Sequence, residues 1–311
     1  MPLNIISSDI TEIKCDAIVN PTNTRLIPGG GLDKTIQDIA GAGLLIDRIA
    51  IGKLGVGHAA MTDAYNMPCK KIIHVASPVY IDGYRGEDIL LAHCYAESLN
   101  LLCENKLNSI AFPLIASGTN GFPDKTAFSI AKSAILNYLD ARPDTVVYLV
   151  VYNKGDIAID EMLKLDIARY VDKNLLPKNS AKNLPQNKTV ARKLSVSLDV
   201  GISFTDKLIE LLNEKKVSNA ECYKRANLDR KLFSKILNGN VPKKRTILAL
   251  CISLKLNLTE AQSLLNTAGY AVSHSFKLDI IVEYFITNKK YDIFELNEVL
   301  YENGLPTLGS N

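Results

Sequence analysis

The stretch AIVNPTNTRLIPGGGLDKTIQDIAG, residues 17–41, decides how the first half of this chain is read. It opens on a short apolar run, Ala17–Asn20, with the length and composition of a strand. It then passes through Gly29, Gly30 and Gly31 and continues as a helical pattern over Asp33–Ala40. Glycines at such a junction let the backbone turn tightly and aim successive N–H groups into one concavity, and the helix that follows adds the partial positive charge of its N-terminus. Strand, glycine loop and helix in that order make a design for holding an anion. Asp33, near the amides of Asn20 and Asn23, stands at the helix start, where it either caps the helix or contacts something bound.

A second segment, SIAFPLIASGTNGFPDKTAFSIA at residues 109–131, repeats the design. Two such loops side by side could hold a diphosphate, although either one alone also reads as an irregular surface connection. Further strands are expected at Leu3–Ile6, His58–Tyr65, Lys71–Ser77 and Thr145–Tyr152, with helices over Glu87–Asn105, Asp124–Leu139 and Asp156–Asp172. Short apolar runs alternating with longer helical patterns define an α/β layered domain. The run TVVYLVVY at 145–152 has the continuous β-branched character of a strand buried on both faces.

The 311 residues allow two ordinary domains. Residues 173–199, with two prolines, many Asn and Lys and no apolar period, read as a linker between a domain at 1–172 and an all-α domain at 200–311. The first basic residue is Lys14, and no apolar run reaches the ~20 residues of a membrane span, so a cytoplasmic protein without membrane contact is expected. Six single cysteines in apolar surroundings read as reduced thiols, and the four histidines form no ligand cluster with them, so no metal or cofactor is expected. His74, in KKIIHVASP, reads as a satisfied core histidine. The net charge of +3 implies no nucleic acid for the whole chain, but Lys and Arg crowd residues 207–245.

Taken in order, these motifs resemble the macrodomain family across residues 1–172. Ser8-Asp9-Ile10 is similar to its opening Gly-Asp-Ile. Asn20-Pro21-Thr22-Asn23 and Gly29-Gly30-Gly31-Leu32-Asp33 are similar to its Asn-Ala-Ala-Asn and Gly-Gly-Gly-Val-Asp, with the same spacing from Asn23 to Asp33. Ile72–Pro78 and Ala116–Pro123 follow its next strand and its phosphate loop. The resemblance implies a three-layer α/β/α domain with a mixed central sheet. It also implies that Asp9, beside Ile10, accepts from an adenine amino group, and that Tyr152 lies near that base. Gly29, Gly30 and Gly31, with Ser117, Gly118, Thr119, Asn120, Gly121 and Phe122, would cradle a diphosphate, Asn20 would line the site and Asn23 would meet the distal ribose. Asp33 would orient or deprotonate a water. The sequence departs from the family at Ser8, Lys34, Gln37 and Asn120, where relatives carry Gly, Gly, His and an aromatic.

The implied function is a hydrolase acting on mono-ADP-ribosyl Asp/Glu esters or O-acyl-ADP-ribose, with Asn23 and Asp33 catalytic and ADP-ribose or an ADP-ribosylated macromolecule as partner. Two alternatives stand beside it: a non-catalytic ADP-ribose reader, and an ADP-ribose-responsive DNA-binding regulator. The last arises from Val217–Gly239, which resembles a repressor-type helix-turn-helix flanked by helices at Thr205–Lys215, Lys244–Lys255 and Leu258–Leu265. In that reading Arg230, Lys231 and Lys235 face DNA. The bland reading is a protein-interaction bundle with a solvated basic face.

Overall fold

The computed structural model describes residues 3–151, 155, 157, 159–175 and 202–309. Six strands form one sheet in the order β1-β6-β5-β2-β4-β3. They are β1 Leu3–Ile6, β2 Ala17–Thr22, β3 Ala59–Asp63, β4 Lys71–Ala76, β5 Ser109–Pro113 and β6 Val146–Val150. Every neighbouring pair is parallel except β3 with β4, so the sheet is mixed, as the family resemblance implies. The inner strands are apolar on both faces because both are covered. Ile18, Val19, Ile72, Ile73, Ile110 and Phe112 are fully buried.

The connecting helices are α1 Gly31–Ala40, α2 Ala42–Ile51, α3 Glu87–Glu104 and α4 Asp124–Ala141. Helix α2 has no counterpart among the elements read from the sequence. Gly41 and Gly43 look there like loop punctuation. In the structure Gly41, at φ +92°, ends α1, and Gly43 admits a close neighbour: a Cβ there would meet the Tyr65 ring at 2.3 Å.

The chain divides into two compact units, Met1–Ala158 with Tyr301–Ser310, and Ile159–Leu300. In the first, the Tyr301 hydroxyl donates to the Val151 carbonyl at 2.6 Å, and Leu308 is fully buried. The second, among its described residues, has helices and no strands, with α5 Glu161–Asn174, α6 Phe204–Glu214, α7 Asn219–Arg225, α8 Arg230–Leu237, α9 Lys244–Ser253, α10 Leu258–Thr267, α11 Lys277–Thr287 and most of α12 Ile293–Glu302. Helix α5 belongs here because Tyr170 donates to Glu283 of α11 at 2.9 Å and sets its ring against Tyr284. This grouping differs from the boundary at 172 read from the sequence, while most of the expected linker lies outside the described residues. Between α7 and α8 the chain turns on Asn227, buried and in the left-handed region at φ +53°. Among the described residues no helix is long and apolar enough to cross a membrane. The six cysteines are free, and burial pushes the Cys94 and Cys251 thiols up to about 12.

Candidate functional site

Strands β2 and β5 are parallel neighbours, with Ala17 opposite Ile110. Their carboxyl ends therefore release the two glycine loops side by side. The chain reaches β4 on one side of β2 and then crosses back through α3 to β5 on the other, so the loops flank a topological switch point, where open α/β sheets bind ligands. The same edge also carries Asp9 just beyond β1 and Ser77–Tyr80 beyond β4. From β1 to β4 it spans five strands, about 19 Å at the usual spacing.

In the first loop, α1 begins at Gly31, whose φ of +59° suits glycine, and neither the Gly30 N-cap nor any other side chain caps it. A Cβ at Gly30 or Gly31 would meet nothing within 4 Å, so this surface is open. Beneath it lies Asp33, 5% exposed. Its Oδ1 accepts from Asn20 Nδ2 at 2.6 Å and Arg48 Nη1 at 2.8 Å. Its Oδ2 accepts from the Gly29 N–H at 2.9 Å, and from Thr22 Oγ1 and Arg48 Nη2 at 3.0 Å each. Burial alone raises the Asp33 pKa, but the bonds from Arg48, Asn20 and Gly29 and the Arg48 charge outweigh it and hold the carboxyl below 3.8. A carboxylate offers about four lone-pair positions. Five donors fill them.

The network continues inward. Asn20, fully buried, uses its second amide hydrogen on His74 Nδ1 at 3.1 Å, which makes Nδ1 the acceptor and places the ring proton on Nε2, facing Thr62 Oγ1 at 3.1 Å. Thr62 in turn donates to the Asp63 carbonyl. His74 is thus a neutral, satisfied core histidine, its pKa pushed down to about 3 by burial and then by the Arg48 charge. Asn23 is exposed and shapes its own loop, accepting from the Arg25 N–H at 3.0 Å and donating to the Ile27 carbonyl at 2.6 Å.

The second loop, between β5 and α4, is folded on itself by Gly121 N–H to the Gly118 carbonyl and Phe122 N–H to the Ala116 carbonyl, both 3.0 Å. Gly118 and Gly121 face open space as Gly30 and Gly31 do. Asn120, which departs from an aromatic in the resemblance, turns its amide away to the Ser77 and Pro78 carbonyls at 3.2 and 2.8 Å. Phe122 is buried against Tyr80, with ring centroids 5.0 Å apart. Ser117 donates to the Leu114 carbonyl, and Thr119 is exposed.

Asp9 is exposed, and its Oδ1 takes both Thr11 donors, N–H at 2.9 Å and Oγ1 at 2.7 Å. Ile10 beside it is buried. Tyr152 lies outside the described residues. In the helical unit Arg230, Lys231 and Lys235 are exposed on α8, while Phe233 and Ile236 are buried. Arg48, 1% exposed on α2, is the site residue that the sequence reading missed. Its one signal was a basic residue, next to Asp47, within the mostly apolar run LLIDRIAI.

Glycine loops on adjacent parallel strands, above a buried charged network, make an open surface at the carboxyl edge of an α/β sheet, where such domains commonly take their ligands. The family description of the Macro domain matches residues 19–131. The Macro domain-containing protein of Methanosarcina mazei is 43% identical over 154 residues, which are 49% of this chain and 82% of that protein. The O-acetyl-ADP-ribose deacetylase of Cronobacter turicensis is 37% identical over 166 residues, 52% of this chain and 94% of that protein. The ADP-ribose glycohydrolase MACROD2 of Homo sapiens is 40% identical over 140 residues, 44% of this chain but 32% of that protein. The chain belongs to the macro domain family.

Proposed function

We propose that the first unit binds ADP-ribose along the carboxyl edge of its sheet and hydrolyses mono-ADP-ribosyl Asp/Glu esters or O-acyl-ADP-ribose. The observation that carries the reading is the pair of open glycine loops on β2 and β5, with room at Gly30, Gly31, Gly118 and Gly121 for a diphosphate to reach backbone N–H groups. Asp9, toward the β1 end, accepts from the adenine amino group, and Asn23 meets the distal ribose. In hydrolysis, water adds to the ester carbonyl and the ribose hydroxyl leaves with a proton. The relative named as an O-acetyl-ADP-ribose deacetylase supports this chemistry, and the one named as a glycohydrolase supports hydrolysis in general.

The sequence expectation gave Asp33 a water to orient. With its oxygens filled and its pKa held down it is a poor base, and we assign it a positioning role. The test is release of free ADP-ribose from O-acetyl-ADP-ribose and from a peptide ester-modified on Glu, followed by mass spectrometry. Turnover by the full chain supports the enzyme, whereas tight binding without release would make it a reader.

A second reading concerns α8, where Arg230, Lys231 and Lys235 are exposed and Phe233 and Ile236 are buried. That arrangement leaves three cations of α8 open to a phosphate backbone, as contact with duplex DNA would require. Anisotropy titrations with duplex DNA at two salt concentrations should show affinity falling with salt, and Arg230→Ala with Lys231→Ala should reduce the slope by about two phosphate contacts. No binding at low salt would leave a protein-interaction bundle.

A further inference from the structure

We propose that Arg48 is the positioning residue of the diphosphate cradle, an inference that rests on the ADP-ribose reading above. One guanidinium, 1% exposed, holds three separate parts of the first loop. Nη2 donates to Thr22 Oγ1 at the end of β2 at 3.0 Å, Nε to the Leu26 carbonyl at 2.7 Å, and Nη1 and Nη2 fork onto Asp33 in the first turn of α1.

Leu26 sits in the left-handed region at φ +56°, a conformation that a leucine adopts only when its surroundings impose it. Its buried side chain and the Arg48 bond to its carbonyl impose it here. Because Asp33 also receives the Gly29 N–H at 2.9 Å, the ion pair fixes where the glycine run begins. Arg48 thus sets the cradle from behind without touching ligand. Asp33, in this arrangement, neutralises Arg48 and transmits its position.

Lysine cannot substitute for the fork. An ammonium carries the charge but cannot grip Leu26, Thr22 and both Asp33 oxygens in one plane. A role confined to stability would respond to any comparable loss in α2, whereas a positioning role is specific to this side chain.

The test is calorimetric titration of the full chain with ADP-ribose, well below each variant's unfolding midpoint. Arg48→Lys should bind at least about tenfold more weakly than wild type, while Leu44→Ala, a core truncation on the same helix, should lose stability and bind within about twofold of wild type. Should Arg48→Lys not fold, the paired variant Arg48→Gln with Asp33→Asn removes both charges together and should fold with the same loss of affinity. Wild-type affinity in either folded Arg48 variant, or an equal loss in Leu44→Ala, overturns the proposal. No binding by wild type would instead remove the ADP-ribose reading, and this inference with it.

Discussion

A carboxylate that accepts five hydrogen bonds is committed to structure before any substrate arrives, and Asp33 is such a group. Asp33→Ala strands the Arg48 guanidinium in the interior without a counter-ion. It should cost about 3–5 kcal/mol in denaturant unfolding, and Asp33→Asn, which keeps an acceptor, should cost less. An unchanged midpoint for Asp33→Ala would show that Arg48 finds water or another partner. His74 adds a pH dependence of definite sign. Folded, its pKa is about 3 against 6.5 for the free side chain, so between those values the unfolded chain binds more protons and stability falls as pH falls, by up to ~1.4 kcal/mol per pH unit. Asp33, lowered below 3.8, adds a further loss only as pH drops through that value. Thermal unfolding from pH 7 to 4 should show the His74 slope, and His74→Asn should flatten it. A flat wild-type profile would mean that His74 is protonated in the fold.

At the scale of elements, the second glycine loop makes opposite predictions for two of its glycines. Gly118 lies outside the left-handed φ range and has open space around its missing Cβ, so Gly118→Val should change folding stability by no more than about 0.5 kcal/mol yet obstruct ADP-ribose. Gly121, at φ +74°, should lose about 1–2 kcal/mol as Gly121→Ala through backbone strain alone. Denaturant melts beside binding isotherms separate the two, and unimpaired binding by Gly118→Val would place the ligand elsewhere. The strands and both loops were legible in the sequence because an apolar run ending in glycines has few other uses. Helix α2 was not, since Gly41 and Gly43 imitate a loop and the Tyr65 ring that makes Gly43 necessary arrives from a distant segment. Missing α2 meant missing Arg48, and so the reason Asp33 is spent. The turn of Asn120 toward Ser77 and Pro78 was equally hidden, because it depends on the loop after β4 lying beside the loop after β5.

At the scale of the whole molecule, the chain's last described residues belong with its first. Tyr301 closes the Val151 carbonyl and Leu308 is buried in that same unit, so a fragment ending at residue 172 lacks part of its own fold. Tyr301→Phe leaves a buried carbonyl unmatched and should cost about 1–3 kcal/mol, and removal of everything after Leu300 should cost more. Equal unfolding midpoints for the full chain and the shortened one would show that the segment is dispensable. Sequence could not reveal this return, because residues 301–310 carry no pattern that names their partner. The central claim is that the open edge above β2 and β5 is an ADP-ribose site. Calorimetric titration of the full chain with ADP-ribose tests it most directly. The account predicts saturable one-to-one binding that Asp9→Ala weakens by about 1.5–3 kcal/mol, the scale of one charge-assisted hydrogen bond. Absence of any heat of binding by the wild-type protein would contradict it.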